Sequence, residues 1–148
     1  MVGRSGKETI SLVAHLAIRL LGSFVVTADD EPLTAFRSTK LGALLAYLVV
    51  ESARPHRRTA LVELLWPDQA PGTGLSDLRQ TVFRLRRHLG DGGGRAPYLL
   101  LTPSDVQFNQ AADYWLDVAE FRTRIRTVQS HHPRADRVCD ECVATLAE

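Results

Sequence analysis

Apolar positions along this chain change period several times, and each change marks an element. Leu16, Ile18 and Leu20 alternate with their neighbours, and Phe24 and Val26 resume the alternation after Gly22. A period of two is the mark of a strand. The "ADDEP" after them has turn composition, so residues 15–36 are expected to hold short antiparallel strands. Leu41, Leu44, Leu45 and Leu48 then shift to helical spacing, with Ser38 as N-cap and Pro55 beyond the end. A second helix, from about Arg57 to Trp66, turns Leu61, Leu64 and Leu65 inward, and Pro67 stops it. Trp66 itself reads as core. "PDQAPGTG" (67–74) reads as a loop. Leu75, Leu78, Val82, Leu85 and Leu89 form the apolar stripe of a third helix, "LSDLRQTVFRLRRHLG" (75–90). After "GDGGGRAP", the run "YLLLTPSDVQFN" (98–109) reads as a hairpin around a "TPSD" turn. "DYWLDVAEFRTRIRTVQ" (113–129) reads as an amphipathic helix with its start at Asp117. "HHPRAD" interrupts it, and "VCDECVATLAE" begins another helix.

Strands, two short helices, a third helix and a hairpin, in that order, outline a winged helix-turn-helix. The expected class is α+β: a small N-terminal antiparallel sheet, three helices, a C-terminal β-hairpin wing, then one or two extra helices. The chain divides accordingly into a flexible arm at 1–14, a winged-helix unit at 15–110, and the incomplete start of a helical domain at 111–148.

Composition adds little until it is resolved along the chain. Of 148 residues, 45% are hydrophobic and 24% charged, ordinary values for a soluble domain with a packed core. The net charge of +1 names no partner. Residues 37–95, however, hold ten Lys or Arg against five Asp or Glu, so the basic excess surrounds the third helix. There is no secretory signal, and the most apolar run, "LGALLAYLVV", is too short to span a bilayer. The expectation is a cytoplasmic protein with no membrane partner. Two cysteines, Cys139 and Cys142, are too few for a disulfide framework.

The third helix has two faces. At 100° per residue, Ser76, Gln80, Phe83, Arg84 and Arg87 lie opposite the leucine stripe, with Asp77 towards one edge and Arg79 and Arg86 on the flank. The major groove of B-DNA admits a helix, and Arg and Gln bind guanine and adenine edges in two-pronged fashion. Flanking arginines suit phosphates, which position without specifying. Set against this, a basic outward face is often no more than a solvated one. The wing is weak in this respect: "TPSD" has no cation, so Thr102 and Ser104 are its candidates for contact with the DNA backbone. Phe83 suits a thymine methyl and equally suits a neighbouring helix.

Several segments taken together resemble one family. They are "LLGSF" at the strand start, "KLGALLAYL" in the first helix, "LLWPD" ending the second and "LRQTVFRLRRHLG" in the third. The region from about 16 to 110 resembles the N-terminal OmpR-type winged-helix domain of SARP-type bacterial transcriptional activators. The resemblance implies that the third helix enters the major groove and that the wing touches the adjoining backbone. It implies base reading by Gln80, Arg84 and Arg87, and phosphate or intramolecular contacts for Arg79 and Arg86. It makes Lys40, Arg57 and Arg58, at helix starts, candidates for backbone contact, with plain solvent exposure as the alternative. "DYWLDVAEFRTRI" resembles the start of the bacterial transcriptional activator domain (BTAD) that comes next in this family. The implied function is sequence-specific binding of a double-stranded promoter element and regulation of transcription. RNA polymerase contact and a homodimer are implied by the family alone. A helical-repeat module with so few helices cannot cover its apolar face, so Trp115 and Phe121 are expected to pack on the winged helix or on a second copy.

Two further constellations bear on function. His131, His132, Cys139 and Cys142 fall within twelve residues, and two sulfurs with two imidazoles suit tetrahedral zinc. The usual finger order is Cys before His with longer spacing, and on a helix Cys139 and Cys142 simply share a face, so no metal is assigned. His15, His56 and His88 are scattered with no nucleophile in a recognisable setting. The glycine run 92–94 lacks the phosphate-loop pattern. No enzymatic activity and no cofactor are expected. The rival to DNA reading is a winged helix used as a protein-interaction or dimerisation module, with Phe83, Trp115 and the leucine faces as its surface. Salt separates the two, because only phosphate contacts weaken steeply as salt rises.

Overall fold

A computed structural model describes residues 16–37, 39–91, 96–131 and 139–147. The expected arm, the Ser38 cap, the glycine run at 92–94 and His132 of the His/Cys constellation lie outside them. Strands β1 (Leu16–Arg19) and β2 (Val25–Ala28) pair antiparallel, with Ile18 opposite Val26. Leu16, Ile18 and Val26 are buried, as their alternation requires. Asp29 and Asp30 reverse the chain with φ of 48° and 66°. Both central residues of a type I′ turn need positive φ, which aspartate tolerates better than most side chains. The turn feeds β3 (Glu31–Pro32), which pairs with β2.

A 3-10 turn, Thr34–Arg37, buries Phe36 and leads to α1 (Thr39–Val50). Then come β4 (His56–Arg57), α2 (Arg58–Leu65) and α3 (Pro71–Leu89). Leu44, Leu45 and Leu48 of α1, Leu61 of α2 and Leu78 and Leu85 of α3 meet in one core, together with Trp66. Leu64 is the exception: it is 52% exposed, and Val62 takes the inward place expected for it. The inner face of α2 is rotated because Val62 packs against α3. A Cβ on Gly74 would overlap the Val62 side chain, so the two helices cross at a bare backbone.

That crossing also explains why α3 starts at Pro71 rather than at residue 75. Proline is favoured in a helix's first turn, where its missing N–H would be unsatisfied anyway. The glycine that reads as a loop breaker is what lets the helix begin against α2. At the other end Gly90, with φ of 73°, donates its N–H to the carbonyls of Arg86 and Arg87 and closes the helix.

The wing is β5 (Leu99–Leu101) and β6 (Asp105–Phe108), and β4 pairs along the other edge of β6. Val106 and Phe108 are buried beneath the helices. One segment departs from the sequence expectation. Tyr114–Leu116 is a strand, β7, rather than the first turn of the following helix. It runs parallel to β1, with Leu16 opposite Tyr114 and Ile18 opposite Leu116, and gives a sheet of order β3-β2-β1-β7. Tyr114 meets Phe108 edge-on at 4.8 Å, and Leu116 is buried. The N-terminal sheet is thereby completed by residues beyond 110.

Helix α4 (Asp117–His131) begins at once, and α5 (Asp140–Ala147) lies against it. Asp117 anchors the junction. Its carboxylate accepts hydrogen bonds from the N–H groups of Leu20 (2.8 and 3.0 Å), Leu21 (2.8 Å) and Val118 (2.7 Å). The end of β1 is thus tied to the start of α4. Trp115 is 38% exposed and Phe121 is half exposed, so neither is fully sealed against the winged helix, the first of the two placements expected for them. No helix among the described residues is long and apolar enough to cross a membrane.

Candidate nucleic-acid interface

The outer face of α3 carries what its period predicts. Ser76, Arg79, Gln80, Phe83, Arg84 and Arg87 are all exposed, while Leu78, Val82, Leu85 and Leu89 on the opposite side are buried. Phe83 is 68% exposed and borders an open surface shared with Arg79, Gln80 and Arg84. Among the described residues it covers no neighbouring helix. Gln80 and Arg84 also line a shallow depression with Lys40, Trp66, Asp77 and Thr81. The hydroxyl of Thr81 donates to the carbonyl of Asp77 at 2.8 Å, so it faces its own helix.

The remaining candidates sort by whether the protein already uses them. Lys40 donates to the carbonyl of Leu65, at the end of α2, and lies 5.8 Å over the Trp66 ring. A cation there satisfies an open carbonyl at a helix C-terminus. Arg58 donates from Nε and Nη2 to the carbonyl of Thr102 (3.3 and 3.0 Å), and its N–H donates to the carbonyl of Ser104 (2.9 Å). Arg86 pairs at 3.6 Å with Asp91, whose side chain is fully buried. Asp91 also accepts from the N–H of Tyr98 (2.6 Å) and of Leu99 (3.3 Å). This arginine therefore joins the end of α3 to the first wing strand, the intramolecular alternative of the two open for it.

The wing turn is closed on itself. Ser104 donates to the Asp105 carboxylate, Thr102 reaches the same oxygen at 3.3 Å, and the N–H of Asp105 donates to the Thr102 hydroxyl at 2.9 Å. Both hydroxyls expected to meet a DNA backbone are occupied by the turn. Arg58, bound to that turn, brings to it the cation its own sequence lacks. Arg57 precedes α2, is exposed and stands opposite Asp105 across β4 and β6.

Among the described residues, Arg79, Arg84 and Arg87 take part in no ion pair. The structure thus brings Ser76, Arg79, Gln80, Phe83, Arg84 and Arg87 onto one solvent-facing surface, while Arg57 is exposed next to the wing. It diverts Lys40, Arg58 and Arg86 to internal contacts. Sequence reasoning missed Asp91, Asp105 and Asp117 as the groups that hold the interface elements in place. Asp117 stood out only as a helix start, and nothing local identifies the N–H groups these carboxylates receive.

The arrangement has a solved counterpart. Mycobacterium tuberculosis EmbR, determined in complex with a low affinity phosphopeptide, superposes with a TM-score of 0.61 and 27% identity. The fold is an α+β winged helix that matches EmbR's over this region. The match covers 80% of this chain and 32% of EmbR, so the chain spans about a third of that regulator's length. No protein-family model and no curated protein match the chain.

Proposed function

We propose that the chain is a DNA-binding transcription regulator that places α3 in the major groove of a double-stranded promoter element. One observation carries this reading. The only face of α3 not buried in the core presents Gln80, Arg84 and Arg87, and the two arginines make no ion pair among the described residues. Side chains that can grip guanine and adenine edges are held on a rigid helix and left available. Arg79 flanks this face on the same helix and suits a phosphate, and Arg57, exposed beside the wing, is a further candidate for one. The likeness to EmbR supports a regulator of the SARP kind. In this reading β1–β7 and α1–α3 form the DNA-reading unit, and α4 and α5 open the helical part beyond it. A homodimer and contact with RNA polymerase belong to the same reading.

Phe83 favours a second reading. A phenylalanine 68% exposed amid arginines also suits a protein partner, and the winged helix would then be an interaction module. Anisotropy of labelled genomic duplexes from upstream of the gene separates the two. Wild type and a Gln80→Ala, Arg84→Ala, Arg87→Ala variant are titrated at two salt concentrations. The DNA reading expects one duplex to be preferred, the preference to vanish in the variant, and affinity to fall steeply with salt. Equal, weak binding of all duplexes by both proteins at low salt sinks it and moves the interaction module to first place.

A further inference from the structure

Among the described residues, the pair α4 and α5 shows little apolar packing. Helix α4 has no buried residue. In α5, Cys142 is buried while Val143 is more than half exposed. At the point where the two helices meet, His131 ends α4 and Cys139 immediately precedes α5. The carbonyl of Cys139 accepts the N–H of Val143 at 3.1 Å, the bond of the helix's first turn. Ligand-capable atoms of His131, Cys139 and Cys142 all lie within 4.8 Å of one another, and the Cys139 thiol donates to Cys142 Sγ at 3.4 Å. With Zn–S bonds of about 2.3 Å, two sulfurs on one tetrahedral zinc sit ~3.8 Å apart. The observed cluster therefore needs only small side-chain movements to close around an ion.

We infer that His131, Cys139 and Cys142 bind a zinc ion that staples α5 to α4. The inference is independent of DNA reading, whose proposed residues lie on α3 and β4. Two thiolates and an imidazole form a donor set that selects zinc over magnesium or calcium, which take oxygen ligands. The Cys–x–x–Cys spacing places both sulfurs on one side of the first turn of α5, and the end of α4 brings the imidazole to them. Burial falls from Cys142 through Cys139 to His131. One side of the cluster is thus rooted in the protein and the other is open to an arriving ion. Each thiol gives up its proton on binding, so two protons leave for each zinc bound and affinity falls in acid. A fourth position remains for a water or a further side chain.

The test is a cobalt titration of the full chain, stripped with chelator and kept reduced. One equivalent of Co²⁺ should produce the near-ultraviolet thiolate-to-cobalt band and the intense visible bands of a tetrahedral site. One equivalent of Zn²⁺ should bleach both. Cys139→Ser with Cys142→Ser should abolish the thiolate band, and His131→Ala should remove the tetrahedral visible bands. His88→Ala, which alters a histidine packed edge-on against Phe36, should leave the spectrum unchanged. Circular dichroism checks that each variant still folds. Reduced wild type that shows no thiolate band, or a double-serine variant that matches wild type, overturns the proposal.

Discussion

The arginines of this chain do three different jobs, and only their surroundings tell which. Arg86 balances a buried carboxylate, Arg58 grips the wing turn, and Arg84 points outward. Periodicity makes the third group legible, because the face opposite a leucine stripe comes directly from 100° per residue. It cannot reveal the first two, whose partners lie at other points of the sequence. Asp91 is the clearest case. Removing it strips Tyr98 and Leu99 of an acceptor and leaves Arg86 without its counter-charge. Asp91→Ala is expected to lower unfolding stability by about 2–4 kcal/mol, read by chemical denaturation. Arg86→Ala should cost less, since the two backbone donors still hold the carboxylate. On α3, Arg84→Ala should cost about 1–3 kcal/mol on the preferred duplex and relax the choice of base there. Arg79→Ala should instead weaken all duplexes alike and reduce the salt slope by about one. Anisotropy across a panel of single-base variants of the site distinguishes these patterns.

Helices with long apolar stripes are recognisable from spacing alone, and their ends are where that reading fails. Proline and glycine at 71–74 look like a loop because composition carries no information about what passes nearby. The close pass of Val62 makes Gly74 a helical residue and moves the start of α3 back to Pro71. Gly74→Ala would put a methyl group into that crossing. It is expected to destabilise by about 1–3 kcal/mol and to shift α3 relative to the wing, lowering duplex affinity as well as melting temperature. Leu64→Ser, on the exposed flank of the same helix α2, should change stability by no more than about 0.5 kcal/mol. Strand β7 is hidden for a related reason. Three residues that favour strands stand directly before a helix, and so short a run has no period of its own. What fixes its state is the unoccupied edge of β1 and the ring of Phe108.

At the scale of the molecule, the order of the main helices and of the wing, and the solvent-facing side of α3, are legible in the sequence. The tether between the winged helix and the C-terminal helices is not. Asp117 supplies that tether through backbone donors of Leu20 and Leu21. Asp117→Ala should leave the α3 surface intact while loosening α4. Duplex affinity would then be preserved, and hydrogen exchange of the α4 amides should accelerate. The parallel pairing of β7 with β1 reaches further. The first strand of the fold finds its last neighbour about a hundred residues later. A chain emerging from the ribosome therefore holds β1 with an unsatisfied edge until Tyr114–Leu116 has been made. During that interval the exposed edge can recruit another nascent chain. Fragments that stop short of Tyr114 would prolong the same vulnerability indefinitely, so synthesis must run past the wing before the winged helix is safe from self-association.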